Sequence, residues 1–172
     1  MPSTLRGACY FAYGSNLGLR RLRARVPSAE PVGLGLLAGH RLCFHKIGRD
    51  GSGKCDAFLT GNAGDRVEGR LFSMDDDQVP DLDRTEGLGL GYERRVVRVV
   101  IADGGMLDAF AYFATRIDAR LVPFDWYKQH VVTGASEAGL SPLYRLAIDA
   151  IPSRPDPDAG RARRELAIYD LE

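Results

Sequence analysis

Two places in the sequence carry residue types suited to acyl chemistry. The first is Ala8-Cys9-Tyr10-Phe11-Ala12-Tyr13-Gly14-Ser15-Asn16-Leu17, where an apolar run breaks into a small, polar, glycine-containing turn. A helical pattern follows directly. A strand–turn–helix junction leaves several backbone N–H groups unpaired and aimed at one point. Such a point holds carboxylates and stabilises a developing oxyanion. The second place is Glu86. Leu82 and Val79, four and seven residues earlier, fall on the same helical face, so the carboxyl turns inward with the apolar stripe. It lies beside the glycine-rich loop Gly87-Leu88-Gly89-Leu90-Gly91. Burial and a helix C-terminus both disfavour a charged carboxylate, which is the setting of a general acid/base. Asp83 lies off this stripe and is expected to pair with a nearby arginine.

Other chemistries find less support. Gly14-Ser15-Asn16 is not Gly-x-Ser-x-Gly, and the three histidines lack the spacing to serve a serine nucleophile. His40 and His45 are expected on opposite faces of a strand, and His130 on a helix four residues after Trp126; all three read as structural. No His/Cys/carboxylate cluster has metal-ligand spacing, so no metal site is expected. The glycines at 87, 89 and 91 follow no strand and do not form a nucleotide-binding fingerprint.

The elements that must position these groups can be read along the chain. Residues 7–13 form a short buried strand and residues 18–26 a helix. Strands are expected over Val32–Leu37, His40–Ile47, Lys54–Thr60 and Val67–Phe72, with turns at Ala38-Gly39 and Gly61–Asp65. A helix capped near Asp77 places Pro80 in its first turn and runs to Glu86, where Gly87 stops it. Tyr92–Ile101 and Met106–Ala114 form a hairpin around Asp103-Gly104-Gly105. Pro123 is expected to open a helix through about Val132, Ser141-Pro142 another, and Arg161–Leu166 a last one after the polar loop Pro152–Gly160. Strands dominate the first two thirds and helices the last third. This is an α+β pattern, expected as one domain over 1–172 with its core at about 7–151 and a C-terminal loop and helix at 152–172.

Lys+Arg and Asp+Glu both number 23, so no bulk charge favours nucleic acid or an anionic membrane. Four arginines lie between Leu19 and Arg25; beside the stripe Leu19, Leu22 and Val26 they read as the solvated face of a helix. Arg94, Arg95 and Arg98 read as outward-facing strand charges. Three cysteines, Cys9, Cys43 and Cys55, without CxxC spacing, read as reduced core thiols. No apolar run approaches the ~20 residues that span a bilayer. A cytoplasmic location is expected.

Four segments follow one another between about residue 10 and residue 150. They are Tyr13-Gly14-Ser15-Asn16-Leu17, Gly64-Asp65-Arg66-Val67-Glu68-Gly69, Leu82-Asp83-Arg84-Thr85-Glu86-Gly87 with Tyr92, and Tyr127-Lys128 through Gly134-Ala135 to Glu137–Tyr144. Together they resemble the gamma-glutamylcyclotransferase family (AIG2-like). The resemblance implies a small, closed or strongly curved mixed β-barrel of about six strands with surrounding helices. It also implies a cavity for a small gamma-glutamyl molecule, which is converted to 5-oxoproline with release of an amine and with no cofactor or metal. The family's acid/base glutamate maps onto Glu86 and its substrate-holding turn onto Tyr13, Gly14, Ser15, Asn16 and Leu17. Its pocket tyrosines map onto Tyr92, Tyr127 and, less directly, Tyr112. Asp56–Thr60 does not align residue by residue with the family's ligand-facing strand. The leaving amine stays open, as does a homodimer. A gamma-glutamylamine or a gamma-glutamyl-capped intermediate as substrate, or a non-catalytic relative that only binds, are the alternatives.

Overall fold

The structure is a computed structural model that describes residues 7–170. Its order is β1 (Ala8–Ala12), a 3₁₀ turn (Ser15–Leu17), α1 (Leu19–Arg23), β2 (Glu30–Ala38), β3 (His40–Ile47), β4 (Gly53–Leu59) and β5 (Arg66–Met74). Then follow a second 3₁₀ turn (Asp76–Gln78), α2 (Val79–Glu86), β6 (Tyr92–Ile101), β7 (Met106–Ala114), α3 (Asp125–Ala138), α4 (Pro142–Asp149) and α5 (Ala159–Leu166). Among the described residues, no helix is long and apolar enough to cross a membrane.

Five strands close a barrel in the order β1-β5-β2-β6-β7, sealed by a parallel pairing of β1 with β7 that sets Tyr10 opposite Phe110. The expected barrel of about six strands is therefore a five-stranded one. The chain leaves it at Gly39, whose φ of 71° makes the corner into β3, and β3 and β4 form a separate antiparallel ribbon.

A barrel this small has little room inside. Gly35 and Gly69 lie opposite each other on β2 and β5, and the fully buried Phe11 ring fills the space they leave. A Cβ on Gly69 would come within 2.5 Å of that ring. Because strand side chains alternate, Tyr10 and Ala12 point the other way. There they join Leu22, Val26, Phe72 and Leu82 in a second apolar cluster that binds α1 and α2 to the barrel wall. Leu82, with no exposed surface, anchors α2; burying such a side chain contributes about 1.5–3 kcal/mol.

The helix ends follow their sequence signals. Pro80 lies in the first turn of α2. Gly87 ends it at φ 76°, with the Gly87 N–H donating to the Arg84 carbonyl (3.2 Å) and the Leu88 N–H to the Asp83 carbonyl (2.9 Å). The Ser141 side chain caps α4 and is itself held by buried Glu68, which accepts both its N–H (2.8 Å) and its hydroxyl (2.6 Å). Several boundaries shift from expectation: α1 ends at Arg23 rather than 26, β2 begins at Glu30, and α3 differs at both ends. The helix expected to open at Pro123 starts at Asp125, because Phe124 is extended and bridges to Arg154. It also runs past Val132 to Ala138, bringing Gly134 against the turn that follows β1.

Candidate active site

The turn after β1 is built by close approaches. A Cβ on Gly14 would lie 2.9 Å from the Cys55 Cβ, so β4 packs directly on the bend. On its other side Gly134 of α3 touches Leu17 and Gly18. The Leu17 N–H returns to the Gly14 carbonyl (3.1 Å), while the N–H groups of Ser15 and Asn16 find no acceptor among the described residues. Leu17, expected to face a ligand, is fully buried in the core and holds the turn in place instead.

Glu86 reaches this turn. Its Oε1 accepts a hydrogen bond from the Asn16 side-chain amide (2.8 Å) and another from the Arg25 guanidinium (3.2 Å). Arg25 also donates to the Asn16 side-chain oxygen (2.7 Å), and the Asn16 amide approaches the Tyr10 hydroxyl (3.2 Å). The Glu86 side chain is 16 % exposed, turned inward as its spacing with Leu82 requires. The Arg25 guanidinium is the cation beside it.

The expectation that all four arginines of 20–25 are solvated is therefore corrected at two positions. Arg21 and Arg25 are four residues apart, share a face, and lie largely covered at the cleft. Arg20 and Arg23 do reach outward, to the Ile168 carbonyl and to Glu30.

Four tyrosines surround the turn. Tyr92 donates to the Cys55 carbonyl (2.6 Å) and Tyr127 accepts from the Cys55 N–H (3.0 Å), so both rings are fixed by one backbone unit of β4. Tyr13 donates to the Tyr112 carbonyl, and Tyr112 donates to Asp83 (2.7 Å), whose other oxygen pairs with Arg94 (2.7 Å). Asp83 thus takes the arginine expected for it. Burial, reinforced by nearby acidic groups, pushes the phenols of Tyr13, Tyr92 and Tyr127 well above the ordinary tyrosine value, so they stay protonated. Asp56 meets His45 (2.8 Å) and accepts the Ala114 N–H (2.9 Å). None of the three histidines lines the cleft.

Glu86, Tyr92, Tyr127 and Ser15 open together onto a cleft of about 450 Å³, a size suited to a small molecule. Gly14, Asn16, Tyr13 and Tyr112 line a small recess at its base. The outer wall comes from elements that sequence reasoning left unassigned: Lys46 and Lys54 from the ribbon, and Arg161 and Glu165 from α5. The C-terminal segment, read only as a loop and helix, therefore forms part of the site. Glu165 pairs with Arg21 (3.1 Å), which also approaches the ring of fully buried His130 (3.1 Å).

Burial lowers the His130 pKa below its usual 6.5. The folded protein then resists a proton that the unfolded chain accepts. Stability is complete above pH ~6.5 and declines as pH falls from there through the lowered folded value. Denaturant midpoints should fall between pH 7.5 and pH 5.5, and the fall should shrink in His130→Gln. An unchanged fall in that variant would assign it to other groups.

A model of the AIG2-like family matches residues 66–146. The gamma-glutamylcyclotransferase of Homo sapiens is 30% identical over 165 residues, covering 91% of this chain and 84% of that protein. That of Mus musculus is 30% identical over 146 residues, covering 83% and 77%. A solved gamma-glutamyl cyclotransferase superposes with a TM-score of 0.83 at 28% identity, over 96% of this chain and 98% of the other. A human protein solved as uncharacterised gives a TM-score of 0.82 at 29% identity, over 95% and 96%. At this identity over most of both chains, and with this superposition, the chain belongs to the gamma-glutamylcyclotransferase family.

Proposed function

We propose that the protein closes gamma-glutamyl compounds to 5-oxoproline and a free amine, with Glu86 as the proton carrier and the Ser15–Asn16 turn as the anion holder. The observation that carries this reading is the 2.8 Å bond from Asn16 to Glu86, which ties the carboxylate to the donor-bearing bend.

In such a substrate the α-amino nitrogen and the γ-carbonyl belong to one chain. Holding that chain folded makes ring closure intramolecular and removes much of the barrier. The α-ammonium has a pKa near ~8 and is mostly protonated at neutral pH, so a base must take a proton first. Glu86 accepts it. The freed nitrogen attacks the γ-carbonyl carbon, and the carbonyl electrons move to oxygen. When the oxyanion collapses, the bond to the leaving nitrogen breaks; Glu86 delivers the first proton to that nitrogen and then relays the second proton of the ring nitrogen, so that a lactam N–H and a free ammonium result. The N–H groups of Ser15 and Asn16 face the substrate's anionic oxygens, and Tyr92 and Tyr127 wall the cleft.

The test is incubation of purified, folded protein with a panel of gamma-glutamyl dipeptides and gamma-glutamylamines, with 5-oxoproline read by mass spectrometry. Its formation from at least one member is expected. No product from any member would favour a protein that binds without catalysis.

A further inference from the structure

The cleft carries more positive charge than its own carboxylates balance. Arg25 pairs with Glu86, Lys54 with Asp50 (2.7 Å), Arg21 with Glu165, and Arg161 with Asp156 (2.6 Å). Lys46 and Arg49 also line the cleft, and neither has a carboxylate within ion-pairing distance among the described residues.

Lys46 occupies a costly place. In the register of the ribbon it lies directly opposite Lys54, a like-charge pair that destabilises a two-stranded sheet. It is 8 % exposed, and its ammonium stands 4.6 Å from the centre of the Tyr92 ring. That ring offers a cation–π contact but no counter-charge. Arg49 is exposed at the rim, and a Cβ on Gly87 would lie 3.6 Å from its guanidinium. Glu86 is the residue before Gly87. Two cations without an ion-paired carboxylate among the described residues, one deep and one shallow, thus stand on the side of the cleft next to the proposed base.

We infer that Lys46 and Arg49 select the leaving amine, and that it is an acidic amino acid whose α-carboxylate meets Lys46 and whose side-chain carboxylate meets Arg49. This rests on the proposed cyclisation and adds to it the class of amine released. Lys46, being largely covered, gives the larger preference; a screened, exposed arginine gives the smaller one.

The experiment compares kcat/KM for gamma-glutamyl-glutamate, gamma-glutamyl-alanine and gamma-glutamyl-ethylamide, which present two, one and no carboxylates on the leaving amine. The alanine substrate is expected to exceed the ethylamide about tenfold, and the glutamate substrate to exceed the alanine one about threefold. Lys46→Met should collapse the first ratio and Lys46→Arg restore part of it. Arg49→Gln should bring the second ratio to about one. Circular dichroism melts check folding, and if Lys46→Met does not fold, Lys46→Arg and Arg49→Gln carry the test. Equal kcat/KM for all three substrates, with 5-oxoproline formed, would overturn the selection while leaving the cyclisation standing. So would a Lys46→Met loss that is equally large on the ethylamide. No 5-oxoproline from any substrate would overturn both.

Discussion

Replacing Glu86 with glutamine should lower kcat by ~10²-fold or more, the usual contribution of a positioned acid/base group. The amide keeps the shape of the side chain and an oxygen to accept the Asn16 hydrogen bond, but it cannot take the ammonium proton. Arg25 retains its 2.7 Å bond to the Asn16 oxygen, so the guanidinium is not left unpartnered and the fold should change little. The loss should therefore appear equally in kcat and kcat/KM, as expected for an interaction made in the transition state. Steady-state kinetics with mass-spectrometric detection of 5-oxoproline measures it. Turnover above about a tenth of wild type would remove Glu86 from the proton-transfer role.

Gly134→Ala should do comparable damage from outside the cleft. A methyl group there would lie 2.6 Å from the Gly18 nitrogen and 2.7 Å from the Leu17 Cβ, and the backbone nitrogen cannot swing aside as a side chain can. Two effects compete. Alanine favours the helix over glycine by about 1 kcal/mol, while overpacking costs about 1–3 kcal/mol. The clash should win, with a lower melting temperature. Relief requires α3 to withdraw or the turn to shift, and a displacement of ~1 Å in a substrate-positioning turn costs on the order of 10²-fold in rate. Thermal melts and kinetics on one preparation check both effects. A stabilised variant with full turnover would mean that α3 does not fix the bend.

Much of this arrangement was legible in the residues. Apolar runs bounded by glycine-rich turns located all seven strands, and proline, serine and glycine signals located the main helices. The inward turn of Glu86 followed from its spacing with Leu82, which is fully buried, and with Val79. What stayed hidden depended on tertiary placement. Nothing local announces that β3 and β4 leave the barrel, since a ribbon and a barrel strand bury similar alternate positions. Arg25 was hidden because an arginine beside an apolar stripe usually reaches water; here the covering wall lies 61 residues further on, at Glu86. Lys46, Lys54, Arg161 and Glu165 escaped notice for the same reason. They come from distant segments that meet only once the ribbon and α5 are folded onto the barrel.

The two tyrosines that clasp Cys55 also bear on how the protein meets oxidants. Burial raises the Cys55 thiol to about 12 and the Cys9 thiol to about 11, and it raises Cys43 as well. Peroxides and alkylating agents attack thiolates, and at neutral pH almost none is present at these positions. The sulfur behind the cleft is thus a packed wedge of low thiolate reactivity, unlike an exposed, acidic thiol.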